Sequence, residues 1–196
     1  MAPTLETVGL ALAAARFGNR NAVLMGVGAA RHWAAIPRVI GVTTVAIPGA
    51  GRPPVTLDTR GIVHLVPCNI DRLDAVLEQN ELGRALVTTP AQTLYDLLMK
   101  PGQGGMPDDA MDAARHLRGQ VRPADLRRVV DAFGRANTAV RGVLDVLKRE
   151  VPRGEGARGH ESDNEGASCN AFDYSTRRGS SRTMRRTLLF AITSLG

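Results

Sequence analysis

The chain has 196 residues, with 25 Lys and Arg against 19 Asp and Glu, 43% hydrophobic residues, two cysteines and one tryptophan. That is the composition of a soluble globular protein of one domain, or of one domain plus a tail. No run approaches the ~18 consecutive apolar residues that span a bilayer, so an integral membrane role is not expected. The apolar stretch at residues 8–15 has Glu6 and no Lys or Arg ahead of it, unlike a secretory leader, and a cytoplasmic location is expected. Cys68 and Cys169 stand far apart without Cys or His neighbours at ligand spacing, which points to neither a disulfide framework nor a zinc site.

The net charge of +6 divides into +4 over residues 1–150 and +2 over residues 151–196. Lys100 and Lys148 are the only lysines, and aromatic residues make up 4% of the chain. A single-strand nucleic-acid binder sets aromatic platforms between its cations, and those are scarce here. Nucleic acid is therefore an electrostatic possibility that the composition does not demand.

In chain order, Leu5, Val8, Leu12 and Ala15 recur at helical spacing and predict a first helix over residues 4–17, stopped by Gly18-Asn19. Residues 23–33 read as a second helix, ended at Ile36-Pro37 because the residue before proline is pushed out of the helical region. Residues 39–47 are rich in β-branched side chains and end at Pro48-Gly49, as a strand does. Two further short strands are expected at 55–57 and 61–66, a short helix at 70–77 and a last strand at 85–87. Thr89-Pro90-Ala91-Gln92 has the form of a capping box, with Thr89 at the N-cap, Pro90 at the first helical position and Gln92 able to reach back. The helix it opens carries Leu94, Leu97 and Leu98 on one face. Three more helices are expected over 108–117, 123–133 and 137–150, the second with another Pro at its first position in Arg122-Pro123. From Val151 glycines, six serines and scattered charges take over, the composition of a disordered tail. The fold expected is α+β: a small antiparallel sheet within residues 39–87 packed by N-terminal helices, then a C-terminal helical subdomain over 89–150 and a disordered tail over 151–196.

Several motifs imitate functional ones. Gly26-Val27-Gly28 lies near an apolar run but lacks the third glycine of a dinucleotide fingerprint and an acidic residue about 20 positions later. It reads as small residues for close helix packing. Lys100 beside Gly102, Gly104 and Gly105 has neither Walker spacing nor a following Ser or Thr. His32, His64, His116 and His160 have no paired metal spacing. Asp108, Asp109 and Asp112 could hold a magnesium ion, but Asp108 and Asp109 open a helix, where the dipole favours carboxylates without any function. Asp71 and Asp74 read as a solvated face. More informative is the basic set Arg115, Arg118, Arg122, Arg127, Arg128, Arg135, Arg141, Lys148 and Arg149, which falls on three successive expected helices. Such a set suits an acidic protein patch or phosphates, and its alternative is the solvated side of amphipathic helices. Arg177, Arg178, Arg182, Arg185 and Arg186 form a second cluster in the tail, able to fold on a partner.

Residues 21–150 resemble the AbiE-type antitoxins, the AbiEi family of bacterial bicistronic type IV toxin–antitoxin systems. Ala22-Val23-Leu24-Met25-Gly26-Val27-Gly28-Ala29-Ala30-Arg31-His32-Trp33-Ala34-Ala35-Ile36-Pro37-Arg38 is similar to the family's small-residue helix ending in a Pro-Arg turn. The β-segment after it, with Pro48, follows in order. Leu86-Val87-Thr88-Thr89-Pro90-Ala91-Gln92-Thr93-Leu94-Tyr95-Asp96-Leu97-Leu98 is similar to the family's valine-threonine, small-proline, threonine-leucine-x-aspartate-leucine stretch. The family's arginine before the Thr-Leu pair is Gln92 here, which reduces a pairing with Asp96 to a neutral-to-charged hydrogen bond. Family members usually begin with a winged helix-turn-helix, whereas about twenty residues precede the matching region here, so DNA is not implied as a partner.

The resemblance implies a cytoplasmic antitoxin that neutralises a nucleotidyltransferase-type toxin encoded beside it. It would do so by direct binding through the arginine-bearing helices or by covalent modification. Candidate toxin- or phosphate-binding residues are Arg115, Arg118, Arg122, Arg127, Arg128, Arg135 and Arg141, with no metal ligand and no cofactor. An alternative is an atypical Ser/Thr phosphotransferase that uses ATP and magnesium to phosphorylate the toxin, although no kinase element stands in the sequence. Another is a DNA-binding autoregulator. The tail after Glu150 resembles no known family.

Overall fold

The computed structural model describes residues 3–58, 61–81 and 83–150. The expected tail over 151–196, with Cys169, His160 and the arginine cluster at 177–186, lies outside the described residues. The fold is α+β, with six α-helices and a six-stranded sheet among the described residues.

Helix α1 spans Leu5–Phe17, one residue after the expected start because Thr4 is the N-cap and its Oγ1 accepts from the Thr7 N–H at 3.3 Å. Gly18 ends it at φ 92, with its N–H donating to the Ala14 carbonyl. The next segment departs from expectation. Val23–Met25 is a strand, β1, and only Gly26–His32 is helical, as α2. All three β1 residues are buried, so the strand shows no polar alternation and imitates the start of an apolar helix. Gly26, at φ +52, makes the turn between them.

Strand β2 is Val42–Ile47. The expected strand began at Val39, but that residue is 82% exposed and Ile40 packs into the helical core instead. Strands β3 (Val55–Leu57) and β4 (Gly61–Pro67) follow as expected. The short helix expected at 70–77 is replaced by a 3-10 turn, Ile70–Arg72, capped by the Asn69 side chain, and by strand β5, Ala75–Asn80. β5 pairs with β6, Gly83–Thr88, from Ala75 opposite Thr88 to Asn80 opposite Gly83.

The strand order is β3-β4-β2-β1-β6-β5. β1 runs antiparallel to β2 and parallel to β6, while β2 and β4 are parallel. The sheet is therefore mixed rather than antiparallel, and it begins at residue 23 rather than 39. Without β1 the sheet has no centre, which is why short-range patterning yields only hairpins.

Helix α3, Pro90–Met99, starts as the sequence predicts, with Thr89 Oγ1 accepting from the Gln92 N–H at 3.2 Å. The second half of the capping box does not form. The Thr89 N–H donates to the Asp74 carbonyl, and the Gln92 side chain is engaged elsewhere. Helices α4 (Pro107–Arg118), α5 (Pro123–Phe133) and α6 (Thr138–Glu150) complete the described residues. Asn137 caps α6 through its Oδ1 and ties it to α3 by donating to the Leu98 carbonyl at 2.7 Å.

Two apolar cores meet at Trp33. One lies among α2 to α6, with Leu94, Leu117, Leu126 and Val140 fully buried; the other lies between α1 and the sheet, around Leu24, Val45, Ile47 and Val63. Trp33 packs against both and donates from Nε1 to the Thr88 carbonyl at 2.8 Å. Gly28 sets the close approach of α2 to β2: a Cβ there would lie 2.5 Å from Thr43 Oγ1. The glycines of the imitated fingerprint thus serve packing.

Candidate functional site

The seven candidate arginines sit on α4 (Arg115, Arg118), at the N-cap of α5 (Arg122), on α5 (Arg127, Arg128), in the turn before α6 (Arg135) and on α6 (Arg141), and all seven are exposed. Packing positions these helices. Tyr95 of α3 stacks at 5.1 Å on Phe133 at the end of α5, and its hydroxyl donates to the Arg135 carbonyl at 3.1 Å. Gly134, in the left-handed conformation at φ 65, ends α5 and turns the chain towards Arg135.

The seven side chains divide by their partners. Arg115 pairs with Asp112 one turn back on α4, and Arg118 with Glu150 at 3.4 Å. Arg122 holds Asp125 by two hydrogen bonds, at 2.8 and 3.3 Å. Arg128 reaches Asp125 at 3.2 Å and Asp74 at 3.4 Å. The hydrogen bond from Arg122 is the main reason the Asp125 carboxyl sits below its usual range. Arg127, Arg135 and Arg141 make no ion pair among the described residues. Three of these pairs, Arg115–Asp112, Arg122–Asp125 and Arg128–Asp125, are local i, i+3 contacts, whereas Arg118–Glu150 and Arg128–Asp74 form only through the fold.

The acidic candidates disperse. Asp109 is gripped by Arg38 at 2.6 and 2.7 Å, and Asp112 faces Arg115. Asp74 accepts from Thr89 Oγ1 at 3.0 Å. Among the described residues no group of three His, Cys, Asp or Glu is arranged to hold a metal ion. His32 stands 3.8 Å from Glu78, while Lys100 is simply the residue that ends α3.

Beneath the arginine-bearing helices lies a polar network that the sequence marked in part. Gln92 is fully buried. Its Oε1 accepts from the Asp74 N–H at 3.3 Å, and its Nε2 donates to Asp96 Oδ1 at 2.8 Å, the contact expected from their spacing. Asp96 Oδ2 is closed off from water and has no hydrogen-bond partner among the described residues. Burial pushes the Asp96 carboxyl up to about 7, against which the Gln92 hydrogen bond and the Lys100 charge act only partly. The nearby Cys68 thiol is also pushed up, chiefly by its burial and then by Asp96.

A second feature had no sequence signal. The start of α1, the end of α2 and β5 enclose a cleft of about 490 Å³ whose polar lining includes Glu6, Arg31, His32, Glu78 and Glu81. These residues are scattered over more than 70 positions, so only the fold brings them together.

The chain matches no family model and no curated protein. Among solved structures, an antigenic nucleotidyltransferase-like protein from Paracoccidioides brasiliensis aligns with 77% of this chain and 92% of its own, at 11% identity and a TM-score of 0.49. That likeness assigns no activity to this chain. No helix among the described residues is long and apolar enough to cross a membrane.

Proposed function

We propose that this chain is a cytoplasmic antitoxin of the AbiE type that neutralises a nucleotidyltransferase-type toxin by direct binding. The observation that carries the reading is the subset of exposed arginines, Arg127, Arg135 and Arg141, without an intramolecular ion pair among the described residues. A guanidinium without a resident carboxylate offers its planar fork to a partner's carboxylates without first breaking a native pair. The toxin's metal-binding acidic site is the surface it would meet. The resemblance over residues 21–150 supplies the toxin class.

Co-expression of the chain with the adjacent toxin, followed by co-purification and intact-mass measurement, tests this. A stable complex containing toxin of unmodified mass is expected, and the double variant Arg127→Glu, Arg141→Glu should lose both the complex and the rescue of growth. A toxin heavier by one phosphate, recovered without complex, would replace binding by covalent modification. An unmodified toxin that never co-purifies would remove the antitoxin reading.

A further inference from the structure

The two edges of the sheet are built differently. β3, at one edge, has three residues, follows Pro53-Pro54 and ends at Asp58. Shortness, proline and charge are what keep an exposed edge from pairing with another strand. β5, at the other edge, has six residues, each matched in unbroken register to β6. It carries no proline or lysine, and among the described residues β6 is the one element it packs on extensively. A row of its backbone N–H and C=O groups therefore faces away from the sheet.

The side chains sharpen the contrast. Val76 and Leu77 are 36% and 48% exposed, two of the five large hydrophobic residues exposed among the described residues. Val76 is in register with Val87 and Leu77 with Leu86, so the two point to opposite faces of the sheet. A partner laid on either face would cover one of them. A strand added at the edge shelters both and takes up the open backbone groups as well.

The strand that fits is β5 itself. A two-fold axis normal to the sheet joins two such strands antiparallel and keeps each face on its own side. With the axis at Leu77, Leu77 meets the partner's Leu77, Val76 meets the partner's Glu78 and Ala75 meets the partner's Gln79. An axis at Glu78 would set two carboxylates face to face, and one at Val76 would set Asp74 against the partner's Glu78; like charges directly opposite are destabilising. The Leu77 register avoids both, because Glu78 is the only charged residue of β5 and there it meets an apolar side chain.

We infer that β5 pairs with β5 of a second copy of this chain, antiparallel about a two-fold axis at Leu77, so that the two sheets continue into one another in a homodimer.

Sedimentation equilibrium of the full-length protein over a range of concentrations tests this, and the parent is expected to follow a monomer–dimer equilibrium. Leu77→Lys and Val76→Lys add the same charge at neighbouring exposed positions, yet the register gives them opposite effects. Leu77→Lys brings two ammonium groups together on the axis and should weaken the dimer at least roughly tenfold. Val76→Lys sets each ammonium opposite the partner's Glu78, twice per dimer, and should tighten it about threefold. Far-UV circular dichroism of both variants should match the parent, since neither side chain is buried. A parent that is monomeric at every concentration, or a dimer whose affinity the two lysines do not move in opposite directions, would overturn the pairing.

Discussion

Asp96 is a carboxyl set one helical turn from an amide rather than from a guanidinium. With its folded value near 7, the native chain holds a proton between about pH 4 and pH 7 that the unfolded chain has released. Stability therefore falls as pH rises through that window and levels off above it. Asp96→Asn should match the parent at pH 4, where both side chains are neutral. At pH 8 it should be the more stable of the two, by an amount on the order of a few kcal/mol. Urea unfolding at the two pH values checks this, and a difference independent of pH would refute the assignment. The i, i+4 spacing of Gln92 and Asp96 made their contact legible in the sequence. Their burial, and the orphaned Oδ2, depend on the 68–74 segment folding over α3, which no local pattern reveals.

At the level of elements, caps and glycines carry the local decisions. Thr89 serves two ends at once, accepting from the Gln92 N–H and donating to Asp74 Oδ2. Thr89→Ala should cost about 1–2 kcal/mol in chemical denaturation, and Thr89→Ser should restore most of it. Gly28→Ala places a Cβ 2.5 Å from Thr43 Oγ1, 2.8 Å from Leu24 and 3.2 Å from the Thr44 backbone nitrogen. Because a backbone atom cannot yield as a side-chain tip can, a loss of roughly 1–3 kcal/mol is expected from the overpacking. A melting temperature unchanged by Gly28→Ala would show that α2 can lift from β2. α1, α3, α5 and the β2 core were legible because amphipathic periodicity and cap residues are local signals. β1 and β5 were not: three residues buried on both sides have no period, and an edge strand of mixed polarity resembles a loose helix.

Across the whole molecule, β1 joins parts far apart in sequence. It lies between β2 and β6, with Leu24 opposite Val45 on one side and Val87 on the other. The residues that follow it, Val27, Ala30, Ile36 and Ile40, enter the helical core. Sheet and helices accordingly should unfold together. Leu24→Ala is expected to cost about 2–5 kcal/mol and to shift helical circular dichroism and the fluorescence of Trp33, the single tryptophan, to the same lower midpoint. Separate midpoints would mean that the two cores are independent.

Composition, periodicity and capping residues by themselves determined the α+β class, the sites of five of the six helices and the chemistry available to a partner, because those properties belong to segments of a dozen residues or fewer. Only the tertiary structure decided that the sheet is mixed, that Arg128 is tied to Asp74 while Arg127, Arg135 and Arg141 have no ion pair among the described residues, and that Glu6, Glu78 and Glu81 share one cleft. Strand partners, ion pairs and cleft walls are contacts between distant residues, and their geometry is set by how helices and strands pack rather than by the spacing of residues along the chain.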